Sequence, residues 1–137
     1  MGASHQLANR RPFSVLIVDD EDAMREQLRL RFELEGFEVF DTDGGESGYS
    51  VCKKMHPDLV ITDIRMAQGT GTELLQRLSK DKSENMPVVM CITGHSDLQV
   101  HEAYKYGAYA VFQKPFDIKD VISASRRFLD LREKQQV

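Results

Sequence analysis

Five short runs rich in Val, Ile and aromatic residues recur along the chain, at Phe13–Val18, Phe37–Phe40, Leu59–Thr62, Val88–Ile92 and Tyr109–Phe112. Each is too short for a helix and reads as a strand. Between and after them lie longer stretches, 21 to 35, 44 to 55, 71 to 82, 97 to 106 and 117 to 133, where charged and apolar residues alternate at helical spacing. Runs such as Leu16-Ile17-Val18 and Leu59-Val60-Ile61 do not alternate. A strand with one wet face would alternate, so these suit strands covered on both faces. Strand then helix, five times over with right-handed crossovers, predicts a doubly wound α/β domain, a three-layer (βα)5 sandwich around a parallel sheet. The boundaries agree: Gly36 and Gly107 can close helices, Pro57 and Pro87 precede the third and fourth strands, and Asp117 can cap the last helix.

At 137 residues one domain is expected, at 13 to 134, with a flexible arm at 1 to 12 and a tail or linker start at 135 to 137. A net charge of −4 gives no general pull toward nucleic acid, so no direct nucleic-acid contact is expected. No run approaches the roughly 18 apolar residues of a membrane span, and no apolar segment near the start suggests a leader, so a cytoplasmic protein is expected. Cys52 and Cys91 lack CxxC spacing and read as buried reduced thiols. In the first helix, Met24, Leu28 and Phe32 form a stripe toward the sheet. Leu30 and Leu34 lie about 200° away from Phe32, and read either as packed on the arm or exposed, or as a partner-docking stripe.

Ligands of open α/β sheets bind at the carboxyl ends of the strands. The residues there are Asp19-Asp20-Glu21 after the first run, Asp63 after the third, Thr93-Gly94 after the fourth and Lys114-Pro115 after the fifth. Two ionised carboxylates ~5 Å apart repel by about 3 kcal/mol at an effective dielectric of ~20, so such a cluster calls for a compensating cation. Mg²⁺ suits it, accepting one or two carboxylates and keeping positions for water and phosphate oxygens. Asp20 and Asp63 are the expected direct ligands, with Asp19 acting through water and the Arg65 carbonyl as a third. Lys114 supplies a fixed positive charge for a phosphoryl oxygen, the Thr93 hydroxyl a hydrogen bond, and the Ile64 and Gly94 N–H groups a backbone cradle. The crevice therefore suits a phosphoryl group held on Asp63, since transfer to a carboxylate needs mainly alignment and charge neutralisation. Singly, each of these residues is an ordinary cap, turn or loop residue. The weight lies in their joint placement at four strand ends.

With these residues in place, the chain resembles the receiver domain of bacterial two-component response regulators over residues 14 to 133. Val15-Leu16-Ile17-Val18-Asp19-Asp20-Glu21 is similar to the family's acidic opening, and Leu59-Val60-Ile61-Thr62-Asp63-Ile64-Arg65-Met66 to its phosphoacceptor segment. Ile92-Thr93-Gly94-His95 is similar to the hydroxyl switch, and Gln113-Lys114-Pro115-Phe116-Asp117 to the lysine-proline loop. The resemblance implies a flavodoxin-like sheet of order 2-1-3-4-5. It also implies that Asp63 accepts a phosphoryl group with Mg²⁺ from a sensor histidine kinase or phosphotransfer protein, and that Thr93 and Lys114 respond. The wording around Thr93 and Gly107-Ala108-Tyr109 is most similar to receivers fused to transcriptional output domains. Dimerisation through the fourth-helix face is suggested too, near Leu98, Val100 and Tyr104.

The chain departs from the family pattern in places. Ala67 stands where a proline is usual, followed by Gln68-Gly69-Thr70-Gly71, which leaves the loop after Asp63 freer. Val111 replaces the aromatic three residues before Lys114, and strand alternation puts Tyr109 on the face of Val111 and Phe112 on the other. The stretch from His95 to Gly107 is one residue shorter than usual. Arg65 and His95 border the site and, with Val111, are candidate modulators. The alternative reading is a degenerate receiver that docks or dimerises without phosphorylation, which the intact Asp19, Asp20, Asp63, Thr93 and Lys114 set opposes. A nucleotide-binding enzyme is weaker still: there is no GxGxxG after the first run and no GxxxxGK[ST] anywhere.

Overall fold

The computed structural model describes residues 11–66, 70–81, 86–94 and 97–135, so the expectations placed on Ala67, Gln68, Gly69, His95 and most of the N-terminal arm lie outside the described residues. Strands and helices alternate as β1 (Ser14–Val18), α1 (Asp22–Leu34), β2 (Glu38–Thr42), α2 (Gly45–Met55), β3 (Leu59–Asp63), α3 (Gly71–Lys80), β4 (Val88–Thr93), α4 (Asp97–Lys105), β5 (Ala110–Gln113) and α5 (Ile118–Gln135). The strands form one sheet in the order β2-β1-β3-β4-β5, with every pairing parallel. This is the doubly wound, flavodoxin-like α/β sandwich expected from the non-alternating runs.

Alternation along the strands divides the core in two. Val15 and Ile17, Leu59 and Ile61, and Met90 and Ile92 meet Leu28 and Phe32 of α1 and Val121 and Leu129 of α5. Leu16, Val18, Val60, Val89 and Cys91 meet Leu74, Leu75 and Leu78 of α3, with Cys52 and Ala103. Burying a side chain such as Leu28 or Phe32 contributes about 1.5–3 kcal/mol, which is why β1, β3 and β4 can be apolar on both faces. Cys52 and Cys91 are free and buried. Burial pushes both thiols up to about 12, which keeps them protonated and inert.

Helix ends follow local chemistry. Thr70 accepts the Glu73 N–H at 3.1 Å and opens α3, and Asp117 accepts the Lys119 N–H at 2.9 Å ahead of α5. Gly36 and Gly107, at φ +91° and +102°, close α1 and α4 in a conformation that other residues rarely adopt.

Two strands lie elsewhere than their apolar runs predict. β2 is shifted on to Glu38–Thr42, because its register with β1 pairs Ser14 with Glu38 and Val18 with Thr42, and an edge strand tolerates the polar Asp41 and Thr42. Phe37 leaves the strand for the core, edge-on to Phe32 at 4.9 Å. β5 is shifted by one residue, so Tyr109 precedes it. The Tyr109 ring packs on Phe128 of α5 at 5.4 Å, not on the face of Val111. Strand alternation did not govern it, because it is not in the strand. Val111 itself packs with the α3-side core and Phe112 with the α5-side core. Leu30 and Leu34 are 54% and 84% exposed, so the second stripe on α1 faces outward.

Candidate functional site

The topology brings the ends of β1, β3, β4 and β5 to one edge of the sheet. Asp19 and Asp20 follow β1, Asp63 ends β3, Thr93 ends β4 and Lys114 follows β5. Backbone bonds sew these ends together: Asp19 N–H donates to the Thr42 carbonyl at 3.1 Å, Ile64 N–H to Ile92 at 3.0 Å and Lys114 N–H to Thr93 at 2.8 Å. Asp19, Asp63 and Thr93 are buried there, while Asp20 and Gly94 reach solvent.

Among the described residues Asp63 receives two donors. Lys114 Nζ lies 3.0 Å from its Oδ2, and the Arg65 N–H donates to its Oδ1 at 3.1 Å. Asp19 Oδ1 accepts the Glu21 N–H at 2.8 Å, and its carbonyl accepts from the Arg25 guanidinium at 2.8 Å. Its other oxygen, Oδ2, is buried with no hydrogen-bond partner among the described residues. Burial, with smaller contributions from the negative charges of Asp63 and Glu21, pushes the Asp19 carboxyl up to about 6 against the pull of the Glu21 N–H and Lys114. Burial opposes the Lys114 ammonium, but the Asp63 hydrogen bond and the charges of Asp63, Asp19 and Glu21 outweigh it and raise its pKa.

One carboxylate oxygen from each of Asp19, Asp20 and Asp63 can be chosen so that all lie within 4.8 Å of one another. Three carboxylates this close repel one another, and the buried Asp19 oxygen with no hydrogen-bond partner among the described residues points to a place for a cation. The donor set, all hard oxygen, fits Mg²⁺.

The Ile64 N–H does not face a phosphate as expected. The β3–β4 ladder runs one residue past the strand and commits it to Ile92, and the amide beside Asp63 is that of Arg65. Three residues were not legible in the sequence. Gly71 opens α3 so close to β3 that a Cβ would lie 2.2 Å from the Asp63 carbonyl oxygen, which no spacing pattern reveals. Arg25 braces the Asp19 backbone from one turn into α1. Gln99 of α4 accepts the Thr93 hydroxyl proton at 2.8 Å.

Residues 15–126 match the sequence profile of the response regulator receiver domain. The chain belongs to that family. It is similar to sporulation initiation phosphotransferase F of Bacillus subtilis, 31% identical over 86% of this chain and 94% of that protein. It is also similar to the regulatory protein AtoC of Escherichia coli, 33% identical over 86% of this chain but 25% of that one. A receiver domain protein of Methanospirillum hungatei superposes with a TM-score of 0.84 at 27% identity, covering 90% of this chain and 98% of that one. The chain spans about a quarter to about half the length of most of the curated relatives it matches. Several of these are named transcriptional regulators. This receiver is thus a domain of the two-component response-regulator type, a type that partners with histidine kinases or phosphotransfer proteins and generally binds Mg²⁺ at such an acidic cluster. Among the described residues no helix is long and apolar enough to cross a membrane.

Proposed function

We propose that this receiver is a phosphoryl-operated switch in which Asp63 is the acceptor. A carboxylate oxygen of Asp63 bonds to the phosphorus of a phosphohistidine on the partner kinase or phosphotransfer protein. The donor's N–P bond breaks and its electron pair returns to the imidazole nitrogen. An ionised carboxylate needs no general base. Asp20 and Asp63 would hold Mg²⁺ directly, with the Arg65 carbonyl, and Asp19 would act through water. When bound, the cation neutralises the carboxylates and the phosphoryl oxygens that approach them.

Lys114, already at Asp63, pairs with a phosphoryl oxygen. The Thr93 hydroxyl and the Gly94 N–H bind the others, with the Arg65 N–H in the place expected of Ile64. We take Arg65, His95 and Val111 as modulators of its hydrolysis. The observation that carries this reading is the Asp63–Lys114 pair set beside a buried Asp19 oxygen that no residue described here satisfies. We further take residues 13 to 134 as the folding unit, a cytoplasmic one suited to fusion with an output domain.

Intact-mass analysis with acetyl phosphate, with and without Mg²⁺, tests it. A Mg²⁺-dependent, hydroxylamine-labile adduct is expected on the native chain, and none on Asp63→Asn. A folded, Mg²⁺-binding protein that gains no adduct from acetyl phosphate or a phosphorylated histidine donor would instead be a docking domain.

A further inference from the structure

We infer that Gln99 is a positioning residue that holds the Thr93 hydroxyl on α4 until a phosphoryl oxygen takes it, and so sets how readily the phosphorylated arrangement forms. The inference rests on the phosphoacceptor role of Asp63 proposed above.

Thr93 is 1% exposed at the end of β4. Its carbonyl is tied to β5 by the Lys114 N–H at 2.8 Å. Its hydroxyl points to a different element, donating to Gln99 Oε1 at 2.8 Å. A threonine hydroxyl carries one proton. Thr93 therefore cannot give a full hydrogen bond to a phosphoryl oxygen on Asp63 while it keeps the bond to Gln99. A phosphoryl oxygen is the better acceptor, since a bond to a charged group is roughly twice as strong as a neutral one. Phosphorylation that recruits Thr93 thus takes its hydroxyl proton away from Gln99.

The helix that loses this tie is one that depends on it. In α3, Leu74, Leu75 and Leu78 are buried, whereas among the described side chains of α4, from Gln99 on, the buried one is Ala103, with His101, Tyr104 and Lys105 exposed. A lightly packed helix is held in place to a larger degree by its polar contacts. Another such contact lies near the other end of α4, where Tyr104 Oη accepts the Val111 N–H of β5 at 3.2 Å. Loss of the Thr93–Gln99 bond loosens the first turn of α4 while the Tyr104–Val111 contact stays as a pivot. The same bond that reports the phosphoryl group to α4 also opposes its arrival, because coupling between two sites is reciprocal.

Titration of the full chain with beryllium fluoride in the presence of Mg²⁺, as a reversible phosphoryl mimic, tests this without a hydrolysis step. Gln99→Leu removes the acceptor and keeps the bulk, and is expected to bind about 3- to 10-fold more tightly than the native chain. In a Thr93→Val background the same substitution is expected to change affinity less than 2-fold, a result that a merely structural role of Gln99 would not give. Thr93→Val alone, without the mimic, is expected to speed amide exchange in the first turn of α4 and leave the Val111 amide unchanged, so the test does not hang on one variant folding.

Equal affinity of the native chain and Gln99→Leu would overturn the inference, as would an equal gain in the Thr93→Val background or unchanged α4 exchange. A native chain that does not bind the mimic, or Asp63→Asn that binds it equally, would instead remove the phosphoacceptor reading itself.

Discussion

Asp58 and Asp63 flank the two ends of one strand, β3, and the fold treats the two carboxylates in opposite ways. At the entry end, Asp58 Oδ2 accepts the Ser14 N–H at 2.8 Å and the Ser14 hydroxyl at 3.2 Å. Its Oδ1 accepts from Arg132 at 2.9 Å, with Arg11 at 3.7 Å, and its carbonyl takes a second Arg132 nitrogen at 3.2 Å. Both oxygens are occupied, by β1 on one side and α5 on the other. At the exit end, one lysine and one amide serve Asp63, and the neighbouring Asp19 keeps an oxygen with no partner among the described residues. A carboxylate whose lone pairs the fold fills is a rivet. One with a buried oxygen that the fold leaves unpartnered is open to a cation. The two ends can be told apart by this saturation alone, since both carry Asp on the same strand or just before it.

The sharpest way to break the contrast is at the entry end. Asp58→Ala strands the Ser14 amide, takes from the Arg132 guanidinium its carboxylate partner and is expected to destabilise the domain by about 3 kcal/mol in urea unfolding, with Mg²⁺ affinity unchanged. A loss under 1 kcal/mol would mean that Asp58 is no rivet.

At the exit end the sign reverses. Asp19→Asn is expected to stabilise the Mg²⁺-free protein at pH 7 by about 2 kcal/mol while weakening Mg²⁺ binding. The reason lies in linkage. The Asp19 carboxyl titrates near 6 in the folded state against 3.8 when unperturbed. Its protonated form is therefore favoured by folding. That stabilisation is fully present below pH 3.8 and is lost as the pH rises through about 6. The stability difference between Asp19→Asn and the native chain should thus grow from pH 4 to 6 and level off above. A flat difference curve would show that Asp19 is not destabilised when ionised. Adding saturating Mg²⁺ should shrink the gap, because the cation supplies what the proton otherwise does.

The smallest effect is expected at Arg132→Ala, a loss of about 1 kcal/mol in the same unfolding assay, since Ser14 still serves Asp58. Additivity with Asp58→Ala would argue against their pairing.

The residues at the exit end were legible because the rule that finds them is local. An apolar run ends, an acid, hydroxyl or lysine follows, and in a parallel sheet all such ends share one edge. Asp19, Asp20, Asp63, Thr93 and Lys114 need no more than that to be placed together. The pairing of atoms at that edge is not local. The Ile64 amide looked available, but β3 and β4 are in a register that gives it to Ile92. Tyr109 looked like a strand residue, but β5 begins one position later and leaves its ring to Phe128. Gln99 carried no signal at all, because a glutamine in the first turn of a polar helix is unremarkable until the helix is docked beside Thr93.

The sequence by itself determined the element order, the parallel sheet and the chemical kind of the site, because burial on both faces and the identity of residues at run ends are written in composition and spacing. Only the tertiary structure decided which carboxylate is satisfied and which is not, where the Thr93 proton goes, and why residue 71 is glycine. Those depend on register and on the approach of one element to another, which arise when strands and helices far apart in the chain meet.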